Sequence, residues 1–320
     1  MHEFEWIDAL AARLRARRAD TIMGIGDDGA IIAPRPGHES IVTTDTLIAG
    51  RHFPEDTDPI DIGYKTIAVN LSDLAAMGAE PAWLTLSLAA PRLDFAWSQA
   101  LVDGVEAAIG TRPIDIIGGD TTRSDVLTLS VTAIGQVPAG GAVRRDRAKP
   151  GDAIVVTGCL GDAAAGLELW PQRESVGSMS RHLIDRLCRP TWRNGISLRH
   201  IAHAAIDLSD GLCADLGHIC RASGVGATIE IDRLPCSAAL ADYVANDPKR
   251  RRRLQATGGD DYELCIALAP DNIAELSAAL DVELTEIGRI EPDLGLRLVD
   301  RAGQPVDQKT LGAAGWDHFR

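Results

Sequence analysis

Residues 58–78, with the sequence DPIDIGYKTIAVNLSDLAAMG, are the stretch that decides the fold, because they predict one helix with both ends marked. Asp58 can cap the amino end, Pro59 suits the first helical position and Gly78 suits the stop. Apolar residues recur at steps of three and four, which predicts a wide stripe buried against the rest of the protein. The stripe consists of Tyr64, Ile67, Ala68, Leu71, Leu74 and Ala75.

A second stripe on the same helix is polar in its middle and consists of Thr66, Asn70, Asp73 and Met77. On a helix this apolar, the carboxylate of Asp73 is predicted to lie half-buried. Burying an ionised carboxylate alone costs several kcal/mol, so Asp73 needs a cation or a network of hydrogen bonds. The rest of the sequence supplies further acids and no matching base.

Composition limits the classes of protein to which the chain can belong. Its 320 residues, 45% of them hydrophobic, can bury a sizeable core and form two domains. A net charge of −14 argues against nucleic acid or an anionic membrane as the main partner and favours cations. The start is acidic where a signal peptide is basic, and no apolar run approaches the roughly 18 residues of a membrane span. The six cysteines have no metal-binding spacing. We expect a cytoplasmic protein with reduced thiols.

The chain is predicted to form two α+β domains, residues 1–140 and 141–320. In the first, alternating apolar and polar residues predict antiparallel strands at 40–44, 82–89 and 126–135, with helices on one face. The apolar strand faces exceed what these helices can cover, which predicts a homodimer built through this domain. The other predicted elements are helices at 3–18, 97–109 and 162–170, and strands at 153–157, 264–268, 284–290 and 296–299.

Two basic stretches stand out in this acidic chain. Arg144, Arg145, Arg147 and Lys149 lie in the predicted passage between the domains, where arginine forks suit the oxygens of a triphosphate. Residues 249–253, KRRRR, have no interleaved aromatic residues and predict a solvated helix face instead of a nucleic-acid patch.

Aspartates recur beside glycines at the predicted ends of elements, for example Asp45 after the strand at 40–44 and Asp120 after the apolar Ile114, Ile116 and Ile117. Each alone has a turn or capping explanation, but together they predict one cluster that cations neutralise. Carboxylate and hydroxyl ligands select Mg²⁺, and Mg²⁺ usually accompanies phosphate. No P-loop and no protein-kinase motif is present, which leaves phosphoryl transfer held together by several metals. The set is Asp28, Asp45, Asp120, Asp207, Asp210 and Asp260, with Asp73 on the helix.

Seven segments in this order closely resemble the thiamine-monophosphate kinases, which belong with the aminoimidazole-ribotide-synthetase-like ATP enzymes. They are GIGDDGA at 24–30, TTDT at 43–46 followed by His52, KTIAVNLSDLAAMGAEPAW at 65–83, IGGDTT at 117–122, the stretch 145–152, IDLSDGL at 206–212 and GGDDYEL at 258–264. The resemblance covers nearly the whole chain. It implies an amino-terminal ATP- and metal-binding domain whose strands form a barrel across a homodimer, and a carboxy-terminal α+β sandwich domain. It also implies ATP- and Mg²⁺-dependent, in-line phosphorylation of thiamine monophosphate to thiamine diphosphate.

The resemblance also implies roles for single residues. The magnesium shell would be Asp28, Thr43, Thr44, Asp45, Asp73, Asp120, Asp207 and Asp210. Gly119, Asp120, Arg145 and Ser209 would bind ATP. His52, Asp260 and Trp316 would bind thiamine monophosphate, with Asp260 at a position where the family often has Glu. No general base is assigned, because the attacking phosphate oxygen is already an anion.

Two other classes of function remain open at this point. The first is a sibling ATP enzyme such as the purine-pathway cyclo-ligase. Two further siblings fit less well, because the first cysteine is Cys159, late for selenophosphate synthesis, and the chain ends His318-Phe319-Arg320, without the terminal cysteine of the hydrogenase-maturation protein. The second class is a non-catalytic sensor of metal and nucleotide that kept the fold.

Overall fold

The computed structural model of the protein describes residues 10, 12–14, 16–245 and 247–312. The helix predicted at 3–18 lies mostly outside the described residues. The chain divides into two compact units, the first Met1–Leu74 with Ala79–Ala142 and the second Ala75–Gly78 with Val143–Arg320. Within the described ranges, no helix has both the length and the apolar character that crossing a membrane requires.

Helix α1 (Pro59–Ala76) begins and ends where the sequence predicts. A carboxylate oxygen of Asp58 accepts a hydrogen bond from the N–H of Ile60 at 3.0 Å, which caps the first turn. Gly78 follows the last turn with a φ of +69°, a conformation that costs glycine little. The apolar stripe is buried except for the partly exposed Tyr64, and Asp73 is partly exposed, as its half-buried stripe predicts.

The first unit holds one four-stranded sheet, with the strand order β3-β6-β4-β5. The elements are β1 (Thr21–Met23), β2 (Ile31–Ile32), β3 (His38–Ile48), α1, β4 (Glu80–Ala90), α2 (Phe95–Ile109), β5 (Asp115–Arg123) and β6 (Thr128–Pro138). The all-antiparallel prediction is wrong for one pair, because β4 and β5 run parallel. Helix α2 lies between them in the chain and provides the crossover that parallel strands need.

The predicted strand ends at the motifs are also wrong. Thr43, Thr44 and Asp45 lie inside β3, which continues to Ile48, and Asp120 lies inside β5. The β-branched threonines after each aspartate extend the strand past the point at which the aspartate suggests a turn. Both acids are therefore held by sheet hydrogen bonds.

The two faces of this sheet differ in polarity. Leu84, Leu86 and Leu88 of β4 and Leu129 and Val131 of β6 are buried on the face that α1 covers. Hydroxyl side chains alternate with them on the other face: Thr44, Thr46, Thr85, Ser87, Ser130 and Thr132, all partly or fully exposed. The expectation of a surplus apolar face was therefore wrong among the described residues. The face left open is mostly polar, although Val42 of β3 is 62% exposed on it.

Helices α1 and α2 touch through glycines. A Cβ at Gly63 would overlap the carbonyl oxygen of Leu101, and one at Gly104 would overlap that of Ile60. The two backbones are in direct contact there, which allows α1 to sit close to both the sheet and α2. This contact holds the polar stripe of α1 in a fixed position above β3.

The elements of the second unit are β7 (Ala153–Thr157), α3 (Asp162–Leu169), α4 (Ser178–Cys188), β8 (Ala202–Asp207), α5 (Leu212–Ser223), β9 (Gly226–Glu230), α6 (Ala238–Val244), α7 (Pro248–Thr257), β10 (Leu264–Leu268), α8 (Ile273–Leu280), β11 (Leu284–Glu291) and β12 (Gly295–Val299). The strands form a six-stranded sheet in the order β12-β9-β11-β7-β10-β8, antiparallel except for the β9–β12 pair. Side chains of β7 and β10 are buried on both faces, against α5 on one side and α8 on the other.

The basic run at 249–253 lies on α7, and three of its arginines form ion pairs within the second unit. Arg250 and Arg253 donate to Glu168 at 2.6 Å each, and Arg252 donates to Asp232 at 2.8 Å. The guanidinium of Arg250 also stacks on the ring of Tyr243 at 4.5 Å. Glu168 and Asp232 neutralise much of the positive charge of the run, and a surface that binds nucleic acid needs that charge.

Candidate active site

Helix α1 and strand β3 bring three predicted metal ligands together. The hydroxyl of Thr43 donates to a carboxylate oxygen of Asp73 at 2.6 Å. One turn earlier, the side-chain oxygen of Asn70 accepts from the backbone N–H of Asp45 at 3.1 Å, and its amide donates to the carbonyl of Thr66 at 3.0 Å. The polar stripe of α1 therefore holds β3 beside Asp73 through these hydrogen bonds.

Asp45 and Asp120 lie at opposite edges of the same sheet. Thr46 of β3, Ser130 of β6, Ser87 of β4 and Asp120 of β5 form one row across the strands. Three strand spacings separate the edges, or about 14 Å along the sheet. One divalent ion binds ligands that lie only about 2 Å from it, so these two acids of one chain cannot share an ion.

Gly119 precedes Asp120 at a point where β5 approaches β4 closely. A Cβ there would overlap the carbonyl oxygen of Leu86. The glycine of the IGGDTT motif is therefore required by the sheet itself. Asp28, by contrast, lies on an exposed loop, where its N–H donates to the carboxylate of Asp27 at 2.8 Å.

The imidazole of His52 is folded back onto the end of β3. The backbone N–H of Ile48 donates to Nδ1 of His52 at 3.0 Å. An N–H can donate only to an unprotonated nitrogen, so the ring is neutral and carries its proton on Nε2. Nδ1 of His52 is therefore already engaged as a hydrogen-bond acceptor.

Two loops run side by side in the second unit and carry its predicted site residues. The N–H of Asp260 donates to the carbonyl of Ser209 at 2.9 Å, and the N–H of Tyr262 donates to that of Leu208 at 2.8 Å. Asp260 and Tyr262 have φ values of +67° and +50°, which non-glycine residues rarely adopt. Such strain persists only where the surroundings impose it, and it gathers at functional sites. Asp207 lies at the end of β8, on the same turn as Ser209 and Asp210.

Asp215 is a residue that the motifs did not single out. It is 3% exposed on the first turn of α5, and one of its oxygens accepts from the N–H groups of Asp210 and Gly211, both at 3.1 Å. Burial raises the pKa of Asp215 to about 7, and the nearby Asp210 adds to the effect. An acid in the first turn of a helix, four residues after a glycine, was the signal available in the sequence.

Arg145 lies beside α5, close to this turn. Its carbonyl accepts from the hydroxyl of Ser223 at 2.7 Å, which fixes the loop against the end of the helix. Partial burial lowers the pKa of His218 on α5, and the guanidinium groups of Arg221 and Arg145 lower it further. The structure thus brings the predicted ATP residue Arg145 near Asp210 and Asp215.

Buried polar side chains support the strained loop that carries Asp260 and Tyr262. Glu263 is 1% exposed and is held by Arg193 at 2.7 Å and by the hydroxyl of Thr157 at 2.6 Å. Asp261 accepts from the N–H of Gly161 at 2.8 Å, while its other oxygen has no hydrogen-bond partner among the described residues. Burial raises the pKa of Asp261 well above its ordinary value.

The donor set fits magnesium. It consists of carboxylate and hydroxyl oxygens, such as the Thr43–Asp73 pair, and these are the ligands that Mg²⁺ prefers. Within the described part of the chain, no three acidic, histidine or cysteine side chains gather closely enough to hold an ion by themselves. Mg²⁺ commonly takes one or two carboxylates and completes its shell with water and phosphate, so this spacing is compatible. The predicted contact Trp316 lies outside the described residues.

Comparison with protein families identifies both halves of the chain. Residues 26–137 match the model of the AIR synthase related protein, N-terminal domain. Residues 149–301 match the AIR synthase related protein, C-terminal domain. Together the two matches cover most of the chain and include the described site residues named above except Arg145, which lies between them.

Comparison with single proteins gives full-length similarities. The thiamine-monophosphate kinase of Salmonella typhimurium is 46% identical over 99% of this chain and 98% of its own. Among solved structures, the thiamine-monophosphate kinase from Stenotrophomonas maltophilia K279a is 48% identical, with a TM-score of 0.86 over 93% of this chain and 97% of its own. AaThiL complexed with AMPPCP and TMP is 32% identical, with a TM-score of 0.80 over 99% and 97% of the two chains.

Proposed function

This chain belongs to the AIR synthase related family and, within it, to the thiamine-monophosphate kinases, and we propose on this premise that it phosphorylates thiamine monophosphate with ATP to give thiamine diphosphate and ADP. The observation that carries this conclusion is the full-length similarity to kinases of that name, one of which is complexed with an ATP analogue and TMP. The resemblance that the motifs predicted and the two-domain α+β fold are confirmed. All six cysteines are free thiols, which supports a reducing, cytoplasmic location.

We assign the metal shell in two groups, one in each unit. Thr43, Thr44, Asp45, Asp73, Asp120 and Asp28 serve in the first unit, and Asp207 and Asp210 in the second. Bound Mg²⁺ supplies the positive charge that screens two anionic phosphates from each other. The protein's own contribution is to hold the ligands in place: Asn70 fixes β3, Thr43 orients Asp73, and Asp215 fixes the turn of Asp210.

The acceptor needs no general base from the protein. The attacking oxygen of thiamine monophosphate is already charged, and Nδ1 of the neutral His52 is engaged by the N–H of Ile48. His52 contacts the acceptor, and Asp260 and Trp316 complete the acceptor contacts. The strained backbone at Asp260 supports this role, since it fixes the direction of a side chain one methylene shorter than Glu.

ATP contacts are assigned to Gly119, Asp120, Arg145 and Ser209. Arg145 lies on a loop tied to α5, and Ser209 lies on the turn that the loop of Asp260 reinforces. Arginine suits phosphate oxygens because its planar fork can donate two parallel hydrogen bonds. Gly119 allows the backbone to come close to a ligand as well as to β4.

A second copy of the chain completes the first-unit sheet in this proposal. The outer edges of β3 and β5 have no strand partner among the described residues, and the open face between them carries hydroxyl groups. Pairing the β3 edge of one copy with the β5 edge of the other closes an eight-stranded barrel with no exposed edge. It also brings the strand that carries Asp45 in one copy beside the strand that carries Asp120 in the other.

One assay tests the activity directly. Purified protein with ATP, Mg²⁺ and thiamine monophosphate should produce thiamine diphosphate and ADP in equal amounts, as read by chromatography. A chelator should stop the reaction, added Mg²⁺ should restore it, and free thiamine should turn over far more slowly because its hydroxyl must lose a proton. ATP binding without formation of thiamine diphosphate would contradict the proposal and favour a sensor or a sibling enzyme.

A further inference from the structure

His218 is an exposed histidine in the second turn of α5, to which the sequence motifs gave no role. Its Nδ1 accepts a hydrogen bond from the guanidinium of Arg221 at 3.0 Å. Arginine can only donate, so Nδ1 is unprotonated and the neutral ring carries its proton on Nε2. The Nε2–H group points in another direction and has no hydrogen-bond partner among the described residues. The imidazole is thus fixed as a donor at the surface of the second unit.

The side chain of Arg221 runs back along α5 because Gly217 leaves room for it. A Cβ at Gly217 would lie 3.3 Å from Nη1 of Arg221. Side chains on a helix lean toward its amino end, so the guanidinium lies over the glycine four residues earlier. The positive charge of Arg221 is therefore carried toward the amino end of α5, where the turn with Ser209 and Asp210 precedes the helix.

A second guanidinium approaches α5 from another element. The turn Arg145–Arg147 packs against α5, where the hydroxyl of Ser223 donates to the carbonyl of Arg145 at 2.7 Å and accepts from the N–H of Ala148 at 3.1 Å. The side chain of Arg145 is exposed and makes no hydrogen bond or ion pair within the described part of the chain. Arg145 is thus fixed through its backbone, while its guanidinium is available to an anion.

The charged groups around His218 are those that a metal-bound nucleotide phosphate needs. Partial burial lowers the pKa of His218, the guanidinium groups of Arg221 and Arg145 lower it further, and the carboxylate of Asp210 opposes them. Arg145 is the proposed ATP contact, and Asp210 is a proposed magnesium ligand. A phosphate group that is bound to both of them therefore lies in the neighbourhood of His218.

We propose that His218 is a further ATP-binding residue, which donates its Nε2–H to a phosphate oxygen of the nucleotide. The inference rests on the proposed function, in which Arg145 and Ser209 bind ATP. Arg221 keeps the imidazole neutral and holds its orientation, so the contact is a directed hydrogen bond that adds no charge of its own. His218 contributes to ATP affinity and leaves the acceptor to other groups.

Titration calorimetry with ATP and Mg²⁺ but no acceptor, together with steady-state kinetics, tests the inference on His218→Phe and His218→Gln. Phenylalanine keeps a planar ring without a donor, whereas the amide nitrogen of glutamine can take the place of Nε2–H. A hydrogen bond to a charged group is worth on the order of tenfold or more, so H218F should raise Kd and KM for ATP about tenfold. H218Q should stay within about threefold of the wild type. KM for thiamine monophosphate and kcat should stay within about twofold in both variants.

His200→Phe is the matched control. His200 is also exposed in the second unit, but the segment that carries it packs through Leu198 with residues of α8, on the face of the sheet opposite α5. H200F should leave Kd and KM for ATP unchanged. An unchanged Kd for ATP in H218F, or an equal loss of affinity in H218Q, would overturn the inference. A wild type that binds ATP but makes no thiamine diphosphate would instead overturn the proposed function, while the Kd values would still test His218.

Discussion

At the scale of single residues, the charge of Asp73 is the feature that most directly tests the proposed metal site. The carboxylate is partly buried, and Thr43 donates to it at 2.6 Å. Asparagine keeps the shape and an acceptor oxygen but removes the charge, so we expect D73N to lower kcat at least about 100-fold. Tm in metal-free buffer should stay the same or rise, because the region loses one of several acids.

Ser72→Ala on the same helix is the control for D73N. Ser72 is buried, and its hydroxyl has no hydrogen-bond partner among the described residues. Its removal should change neither kcat nor Tm appreciably. A folded D73N variant with full activity would show that Asp73 is not a metal ligand.

The buried carboxyl of Asp261 predicts a pH dependence of stability. Burial raises its pKa well above the ordinary value of 3.8. The contribution of this group to the free energy of unfolding is therefore fully present below about pH 4 and is lost as the pH rises through the raised pKa. Asp261→Asn cannot titrate. Urea unfolding across a pH series should show the stability of D261N rising relative to the wild type by about 1.4 kcal/mol per pH unit in that window. A constant difference at all pH values would mean that folding does not raise the pKa of Asp261.

Motifs located the candidate residues but not the groups that hold them. Asp73 could be predicted to lie half-buried, because the periodicity of an apolar helix shows on which side of the helix each residue lies. Asp215 could not be assigned in the same way, since its partner, the turn at Asp210, is positioned by tertiary structure. The burial of Asp261 could not be predicted for the same reason, because it depends on the position of the loop at Gly161.

At the scale of elements, the contact between α1 and α2 depends on two glycines. Glycine in a helix normally costs about 1 kcal/mol relative to alanine. At Gly104, however, a Cβ would overlap the carbonyl oxygen of Ile60, which belongs to the backbone and cannot swing aside. We expect Gly104→Ala to lower the free energy of unfolding by about 2 kcal/mol or more, as overpacking does.

Gly217→Ala on α5 provides the comparison. A Cβ there would meet only the flexible end of Arg221, at 3.3 Å. Urea unfolding should show G217A to be as stable as the wild type or up to about 1 kcal/mol more stable. If G104A were stabilising as well, the close crossing of α1 and α2 would be wrong.

The ends of α1 could be predicted from the sequence, and so could those of β7 and β10 in the second unit, but the ends of β3 and β5 could not. Asp58, Pro59 and Gly78 act through local backbone chemistry that any helix needs. The ends of β3 and β5 depend instead on whether a neighbouring strand continues, and this is why Asp45 and Asp120 lie inside strands. The parallel pairing of β4 and β5 was missed for the same reason.

At the scale of the whole molecule, the feature to explain is the four-stranded sheet of the first unit, whose edge strands are β3 and β5. Asp45 and Asp120 both belong to the predicted magnesium shell, yet they lie on opposite edge strands, about 14 Å apart along the sheet. The prediction of a homodimer was made from an apolar surplus that the structure does not have. We propose instead that a second copy supplies the missing edge of each site.

Mixed dimers distinguish a shared site from a site within one copy. Two differently tagged chains, one with Asp45→Asn and one with Asp120→Asn, can be co-expressed and the mixed dimer purified through both tags. If each site joins β3 of one copy to β5 of the other, one of the two sites is intact, and the mixed dimer should retain about half of the wild-type activity. Each variant alone should be inactive. A dimer of the wild type with a chain carrying both substitutions is the control, and it should be inactive because each of its sites has lost one acid. The opposite pattern, with activity only in the control, would place Asp45 and Asp120 in the same copy's site, whereas a protein that stays monomeric at micromolar concentration would exclude the barrel altogether.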